Sequence, residues 1–282
     1  MKTSFIALAN KRGVACASDT DMTLYAISKQ EPVALAVNPY SPIPWDAIIN
    51  AYLRKGDVQI HETLADYAHD FASHLATVET MPVWKKMTEE DRNIIFLGYG
   101  KDYVFPAAVD IMVNYDEESQ RLVCDFDTER CINHLNETDF LMLSHFDNMQ
   151  AVLYGITDAA RQKMMDKHTA IYDKLVERVM KAVKGSEFEA AVKAYLDNRE
   201  LEEFFSRDMC KTSDNMMNEV NEALDSFNIE DLVKAAEDFV DASVQIDHLK
   251  GGGKGELRQT KELAVITRTE GVVWIKHCIY GN

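Results

Sequence analysis

The opening of the chain constrains its fold most. Two apolar runs, Thr3 to Ala9 and Gly13 to Ser18, are joined only by the polar Asn10-Lys11-Arg12-Gly13, a link that predicts a β-hairpin with glycine at the turn. Two further strand-like runs follow, Thr23 to Ser28 and Pro32 to Val37, separated by Lys29-Gln30-Glu31. The first of these puts Leu24 and Ala26 on one face and Tyr25 and Ile27 on the other. Four strands therefore precede any helix, and neither hairpin face is large enough to be stable alone.

Beyond the proline-studded loop from Asn38 to Pro44, the period changes from two to 3.6. Trp45 to Arg54 sets Trp45, Ile48, Ile49 and Tyr52 at helical spacing behind Pro44, which suits a helix start. Thr63 to Ala76 sets Leu64, Tyr67, Ala68, Phe71 and Leu75 on one face, with Asp66, Asp70 and His74 expected to turn away. Three more strands are predicted over Asn93 to Tyr99, Tyr103 to Asn114 and Arg121 to Asp127. From about Asp139 to Lys250 the pattern is helical. There Asp158 to Lys184 carries Met164, His168, Ile171, Leu175, Val179 and Val183, and Glu230 to Leu249 carries Leu232, Ala235, Ala236, Phe239, Val240 and Ser243. A closing hairpin, Leu263 to Thr267 and Val272 to His277, turns at Thr269-Glu270-Gly271. No linker or repeat divides residues 1–282, so the expectation is an α+β fold in one domain, with the opening and closing hairpins side by side.

Charge narrows the function classes. The 282 residues hold 47 Asp plus Glu against 30 Lys plus Arg, a formal charge of -17, which repels phosphate backbones and anionic headgroups. Neither nucleic acid nor membrane is expected as a partner. No apolar run approaches the roughly 20 residues of a spanning helix, and MKTSFIALANKRG reaches Asn10 and Lys11 too soon for a signal peptide. A cytoplasmic location is expected. Five cysteines at positions 16, 124, 131, 210 and 278, an odd number without a CxxC pair, read as reduced structural thiols.

The local words carry a resemblance. GVACASDTDMT resembles the second strand of proteasome β-subunits and their bacterial relatives, a Gly-Val-apolar run ending in Ala-Ser-Asp or Ala-Ala-Asp. PVALAVNPYSPIPWDAIINAYLRK, TLADYAHDFASHL, IIFLGYGKDYVFPAAV and ELAVITRTEGVVWIKH look like an uncharacterised branch of bacterial proteasome-like proteins in the Ntn-hydrolase superfamily. The resemblance implies a four-layer αββα sandwich, here with an enlarged helical block at about 139–250 before the closing hairpin. It also implies assembly into homo-oligomers and a peptide or protein substrate; no cofactor or metal is expected. Its chemistry is attack on an amide by an amino-terminal threonine, whose α-amine is the base while a lysine and an aspartate adjust the proton balance. Thr3, sixteen residues before Asp19, matches nucleophile and aspartate; a strand hairpin with Asp19 capping its turn would keep the same spacing.

Two departures point away from activity. Lys2 rather than glycine precedes Thr3, and Thr3 has no free α-amine while Met1-Lys2 stays attached. The position of the family's lysine is Thr23, and Lys29 falls six residues further on, roughly 20 Å at strand rise. The reading is a degraded threonine peptidase serving assembly or binding, and the alternative is an amide hydrolase cut before Thr3. A third class, a ligand-binding helical domain, rests only on the length of the helical block.

Other constellations are weaker. His69 and His74 are five apart and lack the glutamate of HExxH, and Cys131 with His134 has no second ligand pair. Gly251-Gly252-Gly253-Lys254 lacks the spacing and the following Ser or Thr of a P-loop. Asp19 and Asp21 offer too few oxygens for a cation. Phe204-Phe205 and Met216-Met217 are candidate subunit contacts.

Overall fold

Side chains alternate along the strands, and both faces are apolar in most of them. Strands of this kind must be covered on two sides. In the computed structural model, which describes residues 4–20, 23–28, 30–54, 60–78, 84–85, 88–127, 129–132, 138–143, 158–197, 218–250 and 259–277, they form two antiparallel sheets. One unit comprises residues 1–149 and 221–282, and a second comprises residues 150–220.

The first unit opens with β1 (Phe5–Asn10) and β2 (Gly13–Ser18), then β3 (Leu24–Ala26) and β4 (Val33–Val37). The helices α1 (Trp45–Arg54), α2 (Leu64–Leu75) and the short α3 (Glu89–Arg92) follow. Next come β5 (Asn93–Gly98), β6 (Ala107–Asp116), β7 (Arg121–Phe126), β8 (Arg130–Cys131) and β9 (Thr138–Leu143). After the second unit's α4 (Asp158–Val183) and α5 (Glu189–Asp197), the first unit resumes with α6 (Ile229–Lys250), β10 (Glu262–Thr267) and β11 (Gly271–Lys276).

Five strands pair in the order β11-β10-β2-β1-β9, and six more lie in the other sheet, β3-β4-β5-β6-β7 with β8 also on β6. The two hairpins are side by side as expected, because β10 pairs with β2 from Glu262↔Ser18 to Ile266↔Val14. One apolar cluster joins the sheets face to face: Phe5, Ala7, Val14, Cys16, Ala264 and Ile266 meet Leu24, Ala34, Ala36, Ile95, Leu97 and Ala108. The opposite face of the six-stranded sheet, with Leu35, Phe96, Val109 and Ile111, packs under Ile49, Tyr52, Tyr67 and Phe71 of α1 and α2. On the outer face of the five-stranded sheet α6 lies against β1, β2 and β10, burying Leu232, Ala236, Val240, Ser243 and Val244. A Cβ on Gly13 would come within 2.7 Å of the Ile266 carbonyl and 2.9 Å of Ile229, so the small residue permits this close approach.

Helix starts follow their caps. Thr63 accepts from the Asp66 N–H while Asp66 accepts from Thr63, a capping box that opens α2 and satisfies two otherwise orphaned donors. The hydroxyl of Thr63 holds the Asp66 carboxyl below its ordinary range.

Three expectations need correction. Thr138–Leu143, expected from Asp139 onward to begin the helical block, is a strand antiparallel to β1, with Phe5 opposite Leu143; it fills the edge that β1 presents beside β2. Part of the stripe expected inside α4 is turned out, with Ile171 66% exposed and Met164 and Leu175 also exposed, while Val179 and Val183 are half-buried and the adjacent Tyr172 is buried. His74 is buried rather than turned away: its ring lies 5.4 Å from that of Tyr52 and its Nε2 is 3.3 Å from the Ile48 carbonyl. Among the described residues no helix is long and apolar enough to cross a membrane.

Gly98 ends β5 at φ +132°, where a Cβ would overlap the Pro32 carbonyl oxygen that accepts the Tyr99 N–H at 3.1 Å. Both the backbone conformation and the space exclude a side chain. Gly98→Ala is expected to lower unfolding free energy by about 2 kcal/mol or more in urea titrations. An unchanged midpoint would contradict this packing.

Candidate functional site

Polar groups collect where β1, β2, β3 and β10 come together at one end of the sheet interface. Register makes the cluster: Ser18 stands opposite Phe5 on one side and opposite Glu262 on the other. Along β10, Glu262 shares a face with Ala264 and Ile266, so its carboxylate is delivered to the same side as the apolar contacts between sheets.

Asp19 is fully buried. Its Oδ1 accepts the Ser4 N–H at 2.7 Å and its own N–H donates to the Ser4 carbonyl at 3.1 Å. The carboxylate thus reaches across to the foot of β1, at the amide that joins Ser4 to Thr3, which is more than capping a turn. Thr3 itself and Asp21 lie outside the described residues.

Thr23 is also buried, in a triangle of hydroxyls. Its Oγ1 is 2.9 Å from Ser18 Oγ and 2.8 Å from Thr20 Oγ1, and Ser18 and Thr20 are 3.1 Å apart. Below it, Glu262 Oε2 accepts the N–H groups of Thr23 at 3.0 Å and Leu24 at 3.2 Å. Glu262 Oε1 lies 3.3 Å from His277 Nδ1, and the His277 ring rests against Trp274. A buried carboxylate is tolerable because backbone donors face it. This glutamate ties β3 of one sheet to β10 of the other.

The local field is negative. Cys16, fully buried next to the cluster, has its thiol pushed up first by burial and then by the Glu262 carboxylate. A group that must lose a proton beside Glu262 is opposed in the same sense. Cys124 is pushed up to about 11 by burial and by Asp125; the predicted inert thiols are in keeping with this, although Cys210 and Cys278 lie outside the described residues. No three His, Cys, Asp or Glu side chains among the described residues are grouped to hold a metal.

The cluster opens onto a cleft of about 390 Å³, lined among others by Thr20, Tyr25, Tyr40, Trp45, Asp46 and Lys261. Lys261 donates its backbone N–H to the Ser18 carbonyl at 2.8 Å and is exposed. Among the described residues the cleft therefore offers aromatic and proline surface together with a lysine and an aspartate, a lining suited to small mixed-polarity ligands or peptide segments. Sequence reasoning missed Glu262, Thr20 and Lys261. Of the weaker constellations, His69 packs on Phe126 with ring centroids 4.0 Å apart, while His134, the glycine run from 251 to 255 and the Phe204-Phe205 and Met216-Met217 pairs lie outside the described residues.

No protein-family model and no curated protein matches this chain.

The shielding of Cys16 has a direct readout. Iodoacetamide at about pH 8.5, where an ordinary thiol is half ionised, is expected to leave Cys16 unlabelled until the chain unfolds; labelling in the native state would show that the cluster is open. Glu262→Ala is expected to cost about 3 kcal/mol by leaving two buried donors unsatisfied, and Glu262→Gln, which keeps an acceptor oxygen, less.

Proposed function

We propose that the chain is a cytoplasmic proteasome-like subunit on an αββα sandwich of Ntn-hydrolase type, with degraded threonine-peptidase chemistry, that works by assembly or by binding. The sandwich reading is supported by the contacts of each layer: α1 and α2 on the six-stranded sheet, that sheet on the five-stranded one, and α6 beyond. The absence of activity is supported by one observation above others. Thr23, at the position of the family's lysine, is a neutral hydroxyl tied to Ser18 and Thr20, with its N–H on the Glu262 carboxylate.

A hydroxyl nucleophile must lose its proton as it attacks. Its usual helpers are a base and a nearby cation. With the Lys2–Thr3 peptide bond intact the α-amine is not a base, and Glu262 supplies the wrong sign of charge. Losing such a base costs about 10²- to 10⁴-fold in rate. The binding role falls to the cleft beside Thr20, whose aromatic walls and opposed Lys261 and Asp46 fit a peptide segment.

The Asp19 carboxylate on the Ser4 N–H favours the second reading, an amide hydrolase activated by cleavage before Thr3. Intact-mass spectrometry with a peptide-hydrolysis assay separates the two. The expected result is a chain uncut before Thr3 that does not turn over unstructured peptides. A species beginning at Thr3 whose hydrolysis disappears in Thr3→Ala would overturn the proposal.

A further inference from the structure

We propose that β7 is an interface strand through which two copies of this chain join their six-stranded sheets into one. The inference is independent of the threonine chemistry and concerns a surface with no part in the cleft. Among the described residues β7 is an edge strand, paired with β6 alone. Its sequence, Arg-Leu-Val-Cys-Asp-Phe over 121–126, is complementary to itself when run antiparallel.

The backbone phase follows from one hydrogen bond. The Asp127 N–H donates to the Asp110 carbonyl at 2.9 Å, and 127 opposite 110 continues the register that puts Phe126 opposite Ile111. In an antiparallel ladder the directly bonded pairs recur at every second residue. Residues 121, 123 and 125 therefore turn their N–H and C=O groups toward β6, and Leu122, Cys124 and Phe126 turn theirs outward.

A twofold axis at Val123 then sets Leu122 opposite the partner's Cys124, and Cys124 opposite the partner's Leu122. These are the two residues whose backbone groups point outward, so four N–H···O=C bonds form across the axis. On the helix side Leu122, which is buried, and Cys124, which is half-buried, continue the apolar layer beneath α1 and α2.

The other face selects the partner. Val123, 43% exposed, meets its own copy at the axis as a close pair without direct backbone bonds. On either side Arg121 faces the partner's Asp125, giving two opposite-charge cross-strand pairs by symmetry. The Asp125 carboxylate is held on this face by Asn114 Nδ2 at 2.7 Å. Arg121 is exposed and makes no ion pair with any described residue. An exposed strand edge invites pairing, and charges placed on it normally repel a second copy; here their signs attract one in this single register.

Sedimentation equilibrium of the full chain at micromolar concentration and physiological salt tests the proposal. The native chain is expected to be a dimer. Arg121→Asp or Asp125→Arg alone sets like charges face to face twice, and each is expected to weaken the dimer roughly tenfold or more. The double exchange Arg121→Asp with Asp125→Arg restores it, and so does an equimolar mixture of the two single variants. Far-UV circular dichroism and thermal melts verify that each variant is folded. A monomeric native chain, a dimer indifferent to either single variant, or folded variants that neither exchange nor mixing brings back together would overturn it.

Discussion

The structure depends on burying β2 on both faces. With β1 on one side and β10 on the other, every backbone group in its middle is spent within the sheet, and all six of its residues are buried. Such a strand requires a layer above and a layer below. Val14 and Cys16 point to the second sheet, and Gly13, Ala15 and Ala17 lie under α6. The small residues on that side bring the helix close, and the same closeness leaves no place for a charge except at the ends of the strands.

The polar cluster is a consequence of that confinement. Ser4, Ser18, Asp19 and Glu262 stand where apolar strands begin or finish; Asp19 Oδ1 and Glu262 Oε2 accept backbone N–H groups, and the Ser18 hydroxyl is paired with that of Thr23. Satisfied in this way the groups join the two sheets instead of forcing them apart. The same arrangement fixes the chemical character of the place: the carboxylates of Asp19 and Glu262 and the neutral hydroxyls of Ser18, Thr20 and Thr23, beside a thiol held protonated. Under the proposed function these charges serve the holding of a neighbour and oppose the generation of an alkoxide.

Much of this was legible in the residues, because period and turn chemistry are local. The opening and closing hairpins, α1 and α2 follow from alternation, glycine turns and the 3.6-residue spacing of Trp45, Ile48, Ile49 and Tyr52. What escaped had a tertiary cause. Thr138–Leu143 is a short run without decisive period, and only the edge beside β1 makes it a strand. In α4 neighbouring apolar residues compete for the buried side, and Tyr172 rather than Ile171 takes it. The resemblance singles out Thr23 and Asp19 by position, but Glu262 lies 239 positions from Thr23. Its one local signal was a charged residue on the inward parity of Glu262, Ala264 and Ile266.

The central proposal, that Thr3 is not activated as a nucleophile in the native chain, is tested most directly by covalent labelling with a threonine-directed electrophile, read by peptide mass spectrometry. The account predicts no adduct at Thr3 in the native chain. An adduct mapped to Thr3, lost in Thr3→Ala and retained in a control variant such as Arg121→Asp, would contradict it.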